Sequence, residues 1–166
     1  MSQGWVVRVS IAAVAGLAGL LAVSAAALAQ SSGPFSSLAG SWSGAGQIRL
    51  ADGKTEALKC KAYYTDKDKG VQMSLALRCA SASNKIDLRA ALASNAGRVS
   101  GNWEERQFNA AGDVTGQATA NKLNLAISGG GLSGTMAVAT NGSNQTVSIT
   151  TEGVAFKGVN IALSRD

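Results

Sequence analysis

The chain has 166 residues, a formal net charge of +5, two cysteines, one proline and no histidine. Without histidine, a Ser-His-Asp triad and His-ligated zinc are excluded, and the commonest general base is missing. Aromatic residues make up only 5% of the chain, too few rings for a stacking surface, which argues against nucleic acid as a partner.

The N-terminus reads "MSQGWVVRVSIAAVAGLAGLLAVSAAALAQ". One positive charge, Arg8, precedes an apolar run from Ile11 to about Leu28, and the run ends in Ala27-Leu28-Ala29. That order predicts a secretory signal peptide over residues 1–29. A retained membrane anchor is the rival, because the run is about as long as a bilayer requires. The many Ala and Gly residues and the Ala-x-Ala end favour cleavage, and no cysteine follows that would carry a lipid. Cleavage leaves about 136 residues, enough for one domain with one core, and lowers the net charge to +4, since Arg8 is the only charged residue removed. The expected location is the periplasm or the exterior, with no integral membrane segment left.

Residues 30–37, ending in "SGPFSS", read as a flexible lead-in, and residues 38–166 as a single β-barrel-like domain. Short alternating runs broken by Gly, Asn, Asp and Ser follow, the pattern of an all-β chain. The first strand covers about Gly40 to Leu50 and turns at Ala51-Asp52-Gly53. Leu58, Cys60, Ala62 and Tyr64 then alternate with Lys59, Lys61 and Tyr63. Beyond a charged tip at Thr65 to Gly70, Met73, Leu75, Leu77 and Cys79 alternate with Ser74, Ala76 and Arg78. Ile86 to Leu92, Val99 to Trp103, Val114 to Ala120, Leu123 to Ser128, Leu132 to Thr140, Val147 to Thr151 and Val159 to Leu163 supply the remaining strands. Nine or ten strands with short connections predict an antiparallel up-and-down meander. So long a sheet must curl into a half-barrel or close into a barrel to protect its edges.

Cys60 and Cys79 both fall on the apolar face and come opposite each other in a hairpin, within bridging reach. No C-x-x-C motif is present, so a structural disulfide is the expected use. A phrase of the form apolar-x-Gly-x-large recurs at Leu38 to Trp42, Val99 to Trp103 and Leu132 to Met136. Its glycine shares a face with the bulky residue and is expected to make room for a neighbouring ring.

The Gly40-Ser41-Trp42 opening, the meander and Arg165 near the end resemble the calycin superfamily of lipocalins, avidins and small bacterial protease inhibitors. The resemblance implies a barrel in which Trp42 packs against Arg165. "GSWSGAGQIRLADGKTEALKCKAYY", "LRCASASNKIDL", "VSGNWEER" and "GVNIALSR" also resemble a family of small exported proteins from alphaproteobacteria. That second likeness implies a periplasmic, disulfide-bearing β-protein and brings no activity with it.

Chemistry is sparse. Glu104 and Glu105 are neighbours on a strand, so they point to opposite faces and cannot flank one bond as a glycosidase pair does. Glu105 is expected to partner Arg106 or another base, and Glu56 to sit at a rim. "TDKDKG" lacks the further oxygen ligands of a calcium loop, and "SGGG" lacks the Lys-Ser/Thr of a phosphate loop. The sequence thus names no catalytic residue, metal site or cofactor, and predicts a non-enzyme. Its least ordinary feature is a basic cluster on the outer parity of three successive strands: Lys59 and Lys61, Arg78, and Lys85 with Arg89, interrupted by Asp87. It is a candidate patch for an anionic envelope lipid or an acidic protein, or else a plain solvated face. Inside, Gly44, Gly46, Gly101, Gly116, Ala118 and Gly134 either leave a cavity for a small apolar ligand or let the walls close together. Three roles stay open: an envelope interaction protein acting through its outer surface, a binding barrel with an interior pocket, and an inhibitor of a secreted protease.

Overall fold

The period-2 pattern is carried through most of the chain and breaks where Gly158 and Val159 are buried in succession. In Thr55–Lys67, Leu58, Cys60, Ala62 and Tyr64 are buried, while Lys59, Lys61 and Tyr63 are exposed. The computed structural model describes residues 32–166; the expected signal peptide, residues 1–29, lies outside them. Ten strands follow in chain order: β1 (Gly40–Leu50), β2 (Thr55–Lys67), β3 (Gln72–Ala80), β4 (Lys85–Asn95), β5 (Arg98–Glu105), β6 (Ala110–Thr119), β7 (Lys122–Gly129), β8 (Leu132–Asn141), β9 (Asn144–Glu152) and β10 (Phe156–Arg165). Each pairs antiparallel with the next, and β10 pairs with β1 to close the barrel. Of the two expected outcomes, closure is the one found, and closure leaves no unpaired sheet edge.

The inner face is apolar and the outer face polar. Trp42, Ile48, Leu58, Met73, Leu77, Val114, Leu123, Val147 and Val159 are fully buried inside. Outside, β2 to β4 carry Lys and Arg, and β6 to β9 carry Thr, Ser and Asn. A membrane-spanning barrel needs the reverse, an apolar band facing outward. No helix among the described residues is long and apolar enough to cross a membrane.

The small inner residues serve closure more than volume. A Cβ on Gly44, Gly46, Gly101 or Gly116 would come within about 2.1 Å of a carbonyl oxygen on the adjacent strand. At those points neighbouring strands bend too closely over each other for any side chain. The recurrent glycine at Gly101 and Gly134 therefore makes room for a backbone carbonyl rather than for a ring. Gly40 differs: at φ +124° it lies against the Arg165 guanidinium, which a Cβ would approach to 2.6 Å. Here the glycine clears space for a guanidinium, again not for the expected ring.

One end of the barrel is sealed by the segment read as a lead-in. Pro34 fixes a turn, and the Gly33 and Phe35 amides donate to the Lys69 and Gly70 carbonyls at 2.7 and 3.1 Å. Phe35 is thereby fully buried, with Leu38 beside it. Trp42 Nε1 donates to the Leu38 carbonyl at 2.8 Å, and the Arg165 guanidinium lies 4.2 Å from the Trp42 ring centroid. Arg165 also donates to the carbonyls of Ala39 and Ser37. The Trp-Arg pairing that the calycin likeness implied is present. Nearby, the buried Tyr64 hydroxyl donates to Gln145 at 2.7 Å, and burial pushes its pKa far above the ordinary phenol range.

Phe35→Ala is expected to destabilise the barrel by about 3–5 kcal/mol, the cost of emptying a buried aromatic site. Denaturant titration reads it out; a loss below about 1 kcal/mol would return the segment to the status of a lead-in. Cys60 and Cys79 pair directly opposite each other across β2 and β3 and are bonded, so the unfolded, unreduced protein should titrate with no free thiol. Reduction should lower stability by about 3 kcal/mol for a closed loop of this length.

Candidate functional site

Strand register gathers the cations. Lys61 lies opposite Arg78, and Arg78 opposite Asp87. Ser43 flanks Lys61 on the other side, and Ala45 flanks Lys59. In the next row Lys59 faces Ala80 and Ala80 faces Lys85. Adjacent strands are about 4.8 Å apart, so these side chains form one field on the outer surface. Lys61 and Arg78 are like charges directly opposite each other, an arrangement that costs stability. Two features offset it. The Cys60–Cys79 crosslink ties β2 to β3 at the neighbouring position. Asp87 lies 3.6 Å from Arg78 and 3.7 Å from Arg89, holding both guanidiniums by charge.

The field lies along a shallow, open depression. Lys59, Lys61, Arg78 and Lys85, with Tyr63 and Asp87, border an outer groove of about 680 Å3 whose floor includes Ala45, Ala80 and the backbone at Gly44. Arg89 does not border this groove. It borders a second one of about 550 Å3, with Thr65, Ser74, Asn102 and Glu104. The five cations are therefore split four and one. Tyr63, 39% exposed, borders both grooves. Sequence reasoning passed over Tyr63 and the second groove, although Tyr63 shares the outer parity of Lys59 and Lys61.

The two singled-out carboxylates are structural. Glu105 is buried and meets no base. Its oxygens accept the Asp87 amide at 2.6 Å and the Phe108 amide at 2.7 Å. The expected partnership with Arg106 fails because Glu105 points inward at the strand end, where the Phe108 amide of the β5–β6 turn and the Asp87 amide of β4 satisfy it. Glu56 sits at the rim and accepts from the Ser81 hydroxyl, the Ser83 hydroxyl and the Ser83 amide at 3.2 Å. These bonds, Ser81's first, hold its carboxyl below the ordinary value.

Inside the barrel a void of about 50 Å3 is lined by Ile86, Leu88, Trp103, Phe108 and Phe156 among others. Phe108, 47% exposed, lies at this end with its ring centroid 6.3 Å from that of Phe156. The void is far smaller than the 300 Å3 or more of ordinary ligand pockets.

Because the Glu56 pKa is depressed in the fold, its contribution is complete above the unfolded value of about 4.3 and is lost as pH falls through the lower folded value. Amide exchange at Ser83 and Asn84, corrected for intrinsic rates, should accelerate over that interval in the wild type. Glu56→Gln should abolish the pH dependence; persistence of it would assign the effect to another group.

No family model matches the chain, and no curated protein matches it in sequence. Among solved structures, it is similar to Rv2717c from M. tuberculosis, with a TM-score of 0.62 and 13% identity over 79% of this chain and 94% of that one. It is also similar to the S-type phycobiliprotein lyase CPES from Guillardia theta, with a TM-score of 0.52 and 14% identity over 80% of this chain and 90% of that one. At such identities the likeness is one of fold alone.

Proposed function

We propose that this is an exported, non-enzymatic binding protein of the bacterial envelope that engages an anionic envelope lipid through the outer groove on β1 to β4. The observation that carries the reading is the coincidence of cavity and charge. Four of the five cluster cations border one groove of about 680 Å3, and two of them, Lys61 and Arg78, face each other at an electrostatic cost. A solvated face spreads its charges; here the crosslink and Asp87 hold them together. An acidic protein is the other partner this charge suits. The signal-like N-terminus and the paired cysteines support an oxidising compartment outside the cytoplasm.

A second reading is a small apolar ligand inside the barrel, as one similar fold is that of a phycobiliprotein lyase. The apolar end void with the exposed Phe108 ring supports it, although entry would need that end to open. Protease inhibition rests on the calycin likeness alone.

Binding to vesicles containing phosphatidylglycerol should weaken steeply between roughly 0.01 and 0.15 M salt, as the Debye length shrinks from about 30 to about 8 Å. Each basic residue near such a surface is worth about 1 kcal/mol, so charge reversal at Lys61 and Arg78 together should weaken binding at least roughly thirtyfold. Reversal at Arg78 puts a carboxylate beside Asp87 and should lower the thermal midpoint, whereas reversal at Lys61 alone, which creates an opposite-charge pair with Arg78, should weaken binding without lowering it. Salt-independent binding, or binding indifferent to the two reversals, would remove the proposal.

A further inference from the structure

The two outer grooves differ in chemistry, and one side chain joins them. The first is bordered by Lys59, Lys61, Arg78 and Lys85. The second offers a hydroxyl at Ser74, an amide at Asn102, a carboxylate at Glu104 and one guanidinium, Arg89. Tyr63 stands at the junction, its ring partly exposed. Along its row, Tyr63 faces Ala76 and Ala76 faces Arg89. The methyl of Ala76 thus floors a slot walled by Tyr63 and Arg89, two strand spacings or roughly 10 Å apart. The parallel row repeats the pattern. Ser74 faces Ala91 and Ala91 faces Asn102, again a small residue between two polar ones.

A charged headgroup alone would use only the first groove. The second suits a ligand with many hydroxyls, since Ser, Asn and Glu provide donors and acceptors together, and a flat ring can lie against an exposed tyrosine. Arginine forks and lysines complement phosphate at the other end. Asp87 links the two parts, because it holds Arg78 at the first groove and Arg89 at the second.

Resting on the anionic reading of this face, we propose that the ligand is a phosphorylated sugar, the glycan head of an envelope lipid. Its phosphate sits among Lys59, Lys61, Arg78 and Lys85. One sugar ring lies against Tyr63 with its hydroxyls towards Ser74, and a second ring extends across β4 to reach Asn102 and Glu104.

The test is calorimetric titration with a deacylated glucosamine disaccharide bearing two phosphates. The unphosphorylated disaccharide, inorganic phosphate and phosphatidylglycerol vesicles are run in parallel. The bisphosphorylated disaccharide should bind at least about tenfold more tightly than either the bare sugar or phosphate alone. Tyr63→Ala should weaken it by about tenfold, the upper worth of one ring contact, while Tyr63→Phe retains most of the affinity. Asn102→Ala should cost about threefold or more, as for one hydrogen bond. Vesicle binding should change less than about twofold in these variants, since none of them alters charge. Disaccharide binding without vesicle binding also supports the proposal. Vesicle binding with disaccharide no tighter than phosphate, or indifferent to Tyr63→Ala, overturns it and leaves the anionic-lipid reading standing. Loss of binding to every probe removes both.

Discussion

The barrel depends on one seam, where β1 meets β10. Nine of its ten ladders join neighbours in the chain, but this one joins strands more than a hundred residues apart. Trp42 and Arg165 are directly opposite in that register. The guanidinium covers the indole face and ties two carbonyls of the 37–39 segment. A cation held over an aromatic ring gains most when water is excluded, and Phe35 with Leu38 supplies that exclusion. One contact thus secures closure, seals one end and anchors the segment preceding β1. Gly40 is the local price, since any larger residue would displace Arg165.

The β-meander is legible in the sequence because alternation is a local property. A residue's face follows from its parity, and short turns such as Gly129 to Gly131 or Asn141 to Asn144 leave little freedom in pairing order. The same reasoning places Cys60 opposite Cys79 and the five cations outside. What escapes it is what depends on distant backbone. Ser32 to Ser37 has a loop composition, and nothing local reveals that Phe35 fits between Gly70 and the barrel end. Glu105 looks like an ion-pair partner by type, yet backbone amides satisfy it. The grooves escape for a related reason. They are defined by small residues such as Ala76, Ala80 and Ala91, which carry no chemical signal of their own and acquire one only beside Tyr63 and the arginines.

The basic face also shows how stability and recognition are apportioned. Placing Lys61 against Arg78 opposes folding, and local preference would put an acid at one of those sites. The conflict falls where the fold is best braced, between a crosslink on one side and Asp87 on the other. Sequences that violate a local rule commonly do so at functional surfaces. The remainder of the outer wall, with Thr115, Asn124, Thr135 and Ser148 exposed, has no such conflict and no comparable concentration of charge.

The seam has a consequence for the order of events when the chain folds. Hairpins between successive strands can form as soon as both partners are available, but β1 keeps an open edge until β10 arrives. That edge is bounded by Trp42 and Ile48, both fully buried once the partner is in place, so the unclosed meander presents an adhesive surface throughout its lifetime. Non-local pairing of this kind is slow compared with hairpin formation, and exposed strand edges invite association with other chains. A holding factor, or rapid pinning of β2 to β3 by the crosslink, would shorten the search by reducing the unfolded chain's freedom before the last ladder zips.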